Sequence, residues 1–319
     1  MNETSERLAQ YVRSGDFQAF ADRLDAWSVG YNHELYQAIE PCLKQADDRW
    51  LHRLMTQPLT QTPIVLALIR QPDWARLERL APRFCEADDD PNMAGSWAMV
   101  AARKVLGTGE LPRLAAIFSE IYSPARWGMV LSTAAREGHA EDARWLCQRL
   151  MPHWSEPNHK PTLSSSWQEA VKGALQGGAS SSEAPARGLE SGSDLPAKPC
   201  DSAGVFEALW SCPVRATTTT VFHAARLDRQ DVLDVLLQRS APIQELLTHM
   251  LSRFRDTSGD RSRQEASQAM DALVKRLPWD GQVTWAQRCP EAVPQAVSRI
   301  RERALNEVSS RGSSSRPRS

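Results

Sequence analysis

The sequence predicts an all-α fold, an α-solenoid of roughly seven to eight stacked helix-turn-helix repeats broken by one disordered insertion. Three observations predict it. Amphipathic runs of about 10 to 15 residues recur with helical periodicity, while the strict apolar–polar alternation of strands is nearly absent. Short breaks containing Gly, Pro, Asp or Asn separate these runs. Finally, Ala101-Ala102-Arg103 and Ala134-Ala135-Arg136 stand 33 residues apart, and Ala224-Ala225-Arg226 follows 90 residues later, two such periods plus 24.

In order along the chain, the periodic runs cover 5–13, 17–27, 34–44, 49–56, 64–70, 74–84, 96–106, 111–122, 125–137 and 141–151. Further runs at 167–175 and 205–210 are the two helices of one repeat, and 221–227 and 231–239 follow. Asp16, Asp73, Ser123-Pro124 and Asp231 mark starts, since their oxygens accept orphan N–H groups of a first turn and Pro suits its first position. The resulting organisation is repeats over 1–176, a Gly/Ser/Ala/Pro-rich insertion over 177–204, repeats and a cap over 205–308, and a Ser/Arg-rich tail over 309–319. The insertion has too little apolar surface to offset the entropy of ordering, so disorder is expected there and in the tail. Loop closure costs grow only logarithmically, so a repeat tolerates such a lengthened connection.

The residues around the Ala pairs resemble the ankyrin-repeat family. The stretch 219–237, Thr-Thr-Val-Phe-His-Ala-Ala-Arg-Leu-Asp-Arg-Gln-Asp-Val-Leu-Asp-Val-Leu-Leu, is similar to one such repeat, and 134–146, Ala-Ala-Arg-Glu-Gly-His-Ala-Glu-Asp-Ala-Arg-Trp-Leu, to another. The resemblance implies that the Ala pair packs the first helix, that Gly138-His139 makes the interhelical turn, and that the Val/Leu face of the second helix fills the core. Asp228-Arg229 replaces Gly-His in the later unit, the Thr-Pro-Leu-His opening is missing, and the β-hairpin finger signature is weak. A helical-hairpin solenoid of another family fits the same pattern.

With 38 basic against 39 acidic residues in 319, 41% hydrophobic and 24% charged, the composition is that of an ordinary globular chain. A net charge of −1 argues against nucleic-acid binding, which needs a lasting cationic excess. Nothing approaches a membrane span; the longest apolar run is Pro63-Ile64-Val65-Leu66-Ala67-Leu68-Ile69. The start lacks a secretory signal, and the six cysteines form no CxxC pair, which points to a reducing cytosol, with signal-less export left open.

No phosphate loop, nucleophile elbow, zincin helix or EF-hand loop is present. Asp88-Asp89-Asp90 lacks the alternation and Gly of a calcium loop and reads as a helix-start loop. Cys147, His153 and His159 lack zinc-ligand spacing and read as one core thiol with two surface histidines. No cofactor and no metal is therefore expected. The eleven tryptophans are mostly packing residues, with Trp127 and Trp154 near helix ends as exposed contact candidates.

The function expected from this reading is a non-catalytic scaffold that holds a protein partner on the concave face of an ankyrin-like array. Its contact residues would be Arg103, Arg136, Glu137, His139, Arg226, Arg229, Trp127 and Trp154. The alternative is a secreted effector or enzyme that uses the array to position its target.

Overall fold

The computed structural model describes residues 3–25, 48–55, 58–70, 73–87, 97–119, 121–180 and 202–313. Among them are seventeen α-helices, one 3-10 helix and no strand, so the chain is all-α. The helices are α1 (Glu3–Ser14), α2 (Phe17–Asp25), α3 (Asp48–Met55), α4 (Pro58–Arg70), α5 (Trp74–Ala87) and α6 (Trp97–Val105). Then come α7 (Leu111–Ile117), α8 (Pro124–Glu137), α9 (Ala140–Leu150), a 3-10 turn at Met151–Ser155, and α10 (Lys160–Ser180). The remainder are α11 (Ser202–Trp210), α12 (Thr218–Arg226), α13 (Gln230–Gln238), α14 (Ile243–Asp256), α15 (Asp260–Val274), α16 (Trp279–Arg288) and α17 (Pro294–Ser313). None of the described helices is long and apolar enough to cross a membrane.

The starts follow from side-chain capping. Asp16 and Asp73 accept the N–H groups of Ala19 and Arg76 at 3.0 and 3.1 Å. Ser123 accepts that of Arg126 at 3.3 Å, with Pro124 opening α8. Asp231 lies inside the first turn of α13 and bonds to Arg229 instead.

Helix contacts run mainly between neighbours along the chain. Alternate helices α4, α6, α8, α10 and α12 pack in succession, and α12 continues onto α15, which meets α17. Their hairpin partners pack outside them, with α5 on α4, α7 on α6, α9 on α8, α11 on α10 and α13 on α12. One continuous apolar core threads these layers, from Val12 to Ala296. The Ala pairs Ala101-Ala102, Ala134-Ala135 and Ala224-Ala225 are all buried in it, where small side chains let helices approach.

The α8–α10 interface is especially close. A Cβ on Gly128 would stand 2.6 Å from Ser166 Oγ, and one on Gly173 would stand 2.9 Å from Arg136 Cβ. Glycine at both ends of this interface is thus required by space. The Ser132 hydroxyl donates to the Ser166 carbonyl at 3.0 Å between them. Farther along, the buried Trp167 indole N–H donates to Leu209 O at 2.9 Å, tying α10 to α11.

Several expected boundaries differ. Within the stretch expected as insertion at 177–204, α10 continues to Ser180 and α11 begins at Ser202, while 181–201 lie outside the described residues. Likewise α17 continues to Ser313, into the stretch expected as tail. The expected run at 34–44 and the Asp88-Asp89-Asp90 loop lie outside the described residues.

Candidate functional site

One turn recurs. In the α1–α2 hairpin, Asp16 N–H bonds to Tyr11 O at 3.0 Å and Gly15 N–H to Val12 O at 3.3 Å. In α8–α9, His139 N–H bonds to Ala134 O at 2.9 Å and Gly138 N–H to Ala135 O at 3.3 Å. In α12–α13, Arg229 N–H bonds to Ala224 O at 3.1 Å and Asp228 N–H to Ala225 O at 3.2 Å. Each is the paired closure of a helix C-terminus around a left-handed residue, with φ of +74° at Gly15, +78° at Gly138 and +50° at Asp228. Asp228 is the one non-glycine residue with positive φ among the described residues, and aspartate tolerates that region better than most. It therefore does the work of Gly138 in the later hairpin.

This shared geometry fixes one side chain in each hairpin, the residue two before the left-handed position. It is Arg13, Arg136 and Arg226 in the three turns. In α4, Arg70 holds the same register, because Asp73 N–H bonds to Leu68 O at 3.1 Å. Arg103 does not. The α6 hairpin turns later, through Gly107 and Gly109 at φ +77° and +84°, so Arg103 sits exposed four residues before the first left-handed position instead of two.

Neighbouring turns interlock. The His139 imidazole fills the space beside Gly107, where a Cβ would stand 2.7 Å from its ring. Buried Asp142 accepts the Gly107 N–H at 2.6 Å. Glu137 lies 3.5 Å from His139 Nε2 and 4.0 Å from Arg136. His139 is therefore a packing and turn residue more than an open contact.

A cationic neighbourhood runs along α8, α10, α12 and α14, which pack in succession. Arg136 on α8 lies over Gly173 on α10. Next to that glycine, Lys172 pairs with Glu169 at 2.6 Å, and its charge reaches His223 on α12. Arg226 pairs with Glu265 of α15 at 2.9 Å, with Arg261 on the other oxygen at 3.4 Å. Arg253 of α14 stacks over Phe222, 5.4 Å from its centroid. Burial, and then the charges of Arg226, Lys172 and Arg253 against the opposing Glu169, hold His223 below the ordinary histidine range. Its Nδ1 is buried with no hydrogen-bond partner among the described residues. A second cationic pair joins α4 to α6: burial first, then the Arg70 charge, lowers the Lys104 pKa. Arg229 turns away to Asp231 at 3.0 Å and lies 5.4 Å from the Phe206 ring.

The two tryptophans expected as exposed contacts are buried instead. Trp127 is 2% exposed, stacked on Tyr122 at 4.1 Å and edge-on to Trp145 at 5.5 Å. Trp154 is 5% exposed in the 3-10 turn. Both serve the core, because position near a helix end does not set which way a side chain points. Of the residues weighed as zinc ligands, His153 and His159 flank Glu156 at 2.9 and 3.5 Å, while Cys147 is buried beside Cys212. No group of three or more His, Cys, Asp or Glu side chains suited to a metal occurs among the described residues. Lys172, Arg253 and Glu265 escape sequence reasoning because they sit on other helices, with no local signal linking them to Arg226.

No family model, curated protein or solved structure matches this chain.

Proposed function

We propose that the chain is a non-catalytic protein-interaction scaffold: an ankyrin-like stack of helical hairpins whose arginine-bearing helix ends receive an acidic segment of a protein partner. The reading is carried by the charges of Arg226, Lys172 and Arg253 that converge on His223, with Arg136 lying over Gly173 next to Lys172. Cations on neighbouring helices favour an incoming carboxylate, which gains charge-assisted hydrogen bonds from them. The recurring hairpin closure at Gly15, Gly138 and Asp228 supports the ankyrin-like stacking, since one turn geometry repeats with one residue register. A protein partner is favoured over nucleic acid because the net charge of −1 leaves no sustained cationic track. The reducing cytosol is the compartment that fits scattered cysteines without a CxxC pair.

The test is affinity capture with the intact protein and with a variant carrying R136E, K172E and R226E, after nuclease treatment. Loss of a captured partner from the variant, with helix content unchanged by circular dichroism, supports the proposal. Equal recovery by a folded variant rejects this surface.

A further inference from the structure

A polar cleft of about 390 Å³ lies between the α12–α13 turn, one face of α15 and the start of α17. Gln268, Asp271 and, at the C-cap, Lys275 line it from α15, where steps of three and four residues put them on one helix face. Arg226 and Asp228 line it from the turn, and Gln295 from α17. The walls are braced by the protein itself. Asp271 accepts the Gln295 and Ala296 N–H groups at 3.1 and 3.0 Å, one on each oxygen, which seats α17 on α15. The Arg276 guanidinium pairs with Asp234 at 2.8 Å and donates to Ala272 O at 3.0 Å and Gln230 O at 3.4 Å. It thereby ties α15 to α13 through two residues, Ala272 and Gln230, that also line the cleft.

What the walls leave unbonded is polar and of both signs. Lys275 is exposed and makes no ion pair among the described residues, and the side chains of Gln268 and Gln295 make no hydrogen bond among them. Arg226 gives Nη1 to Glu265 at 2.9 Å, but its Nε is buried with no hydrogen-bond partner among the described residues. Asp228 accepts the Gln230 amide on one oxygen and leaves the other open. An apolar ligand would strand these groups. A bare anion would meet the carboxylates of Asp228 and Asp271, and a bare cation would meet Arg226 and Lys275. A ligand that suits both signs carries both in a small frame, and the volume lies near the lower end of the about 300–1,000 Å³ of small-molecule sites.

We propose that this cleft binds a free α-amino acid with a polar side chain. Its carboxylate takes the Lys275 ammonium and the Arg226 Nε–H, and its ammonium takes Asp228 beside the Asp271 charge. Its side chain exchanges hydrogen bonds with the amides of Gln268 and Gln295, which can donate and accept alike. The site stands apart from the surface for an acidic segment, with which it shares Arg226 alone, and the variants below leave Arg226 untouched.

The experiment is isothermal titration calorimetry of the full-length protein with free L-serine, L-asparagine, L-glutamine, L-glutamate, L-lysine and L-arginine. At least one should bind with a dissociation constant at or below about 1 mM. Its N-acetyl derivative lacks the ammonium and its amide lacks the carboxylate, so each should bind about tenfold more weakly or worse. Succinate and putrescine, each of a single sign, should be as weak. Lys275→Met and Asp228→Asn should weaken the same binding about tenfold or more, whereas Lys160→Met, at an exposed lysine on α10, should leave it unchanged. Asparagine suits the left-handed turn at position 228, and circular dichroism checks that both variants fold. In the wild-type protein the bound amino acid should slow hydrogen exchange over 225–230 and 295–297, which locates it without any variant. The proposal is overturned if no amino acid of the set binds, or if a blocked or single-sign analogue binds as tightly. It is also overturned if folded K275M and D228N bind unchanged, or if the amino acid slows exchange only elsewhere.

Discussion

Trp167→Phe tests the joint between α10 and α11. The phenyl ring keeps most of the buried apolar surface but removes the indole N–H, leaving Leu209 O with the Cys212 N–H at 3.2 Å as its remaining donor. A hydrogen bond lost in this way costs about 0.5–1.5 kcal/mol. The smaller ring adds roughly 1 kcal/mol of unfilled space, giving a total of about 1.5–2.5 kcal/mol. Because α11 is only nine residues long and holds on through α9 and α10, most of that loss should appear as local release of α11. Hydrogen exchange followed by mass spectrometry reads it directly. Amides of 203–210 should exchange roughly 10- to 60-fold faster, since each 1.4 kcal/mol is tenfold. Amides of α15 should keep their protection. Unchanged exchange in α11, or an equal rise over the whole chain, would refute the idea that this hydrogen bond secures the joint.

Three other expectations concern the same core and surface. Gly128→Ala should lower the thermal midpoint by several degrees, because a Cβ 2.6 Å from Ser166 Oγ overpacks the α8–α10 interface by about 1–3 kcal/mol; adding Ser166→Gly should return part of that loss in calorimetry. His223 has a pKa held below its unfolded value of 6.5, so the unfolded chain takes up the proton first. Stability should accordingly fall as pH drops through and below 6.5, and denaturant titrations of His223→Gln should show a flatter dependence over that window. Asp271→Ala removes the carboxylate that accepts the Gln295 and Ala296 N–H groups at 3.1 and 3.0 Å. Those two amides should lose protection by about 0.5–2 kcal/mol, with α12 unaffected.

The helices are legible in the sequence wherever a long amphipathic run meets a capping residue, as at Asp16, Asp73 and Ser123. The left-handed turn at Gly138 is legible too, and Asp228 shows that the position matters more than the residue type. What local pattern does not carry is register and direction. Arg103 shares a triplet with Arg136 and Arg226, yet the hairpin after it turns later, its first left-handed residue Gly107 standing four residues on instead of two. The burial of Trp127 and Trp154 is hidden for a similar reason, since rotamer and neighbouring helices decide which way a ring points. The span from Ile243 to Arg288 is the least legible. In α15 the apolar positions are thinly spread among Arg261, Arg263, Gln264 and Glu265, and Ala266, Ala269 and Met270 become core only once α12 and α17 cover them. The cationic neighbourhood of His223 is invisible in sequence because Lys172 and Arg253 are 51 residues before and 30 after it.

Packing chiefly between sequence neighbours also shapes how the protein is made. A helix that needs only the hairpins on either side of it finishes its contacts soon after the next one is synthesised. Among the described residues no amino-terminal helix packs mainly on a carboxyl-terminal one, and little entropy is lost to closing long loops. The amino-terminal helices should thus reach native packing on the ribosome, and premature termination after α13 should release a shorter folded stack instead of an unfolded chain.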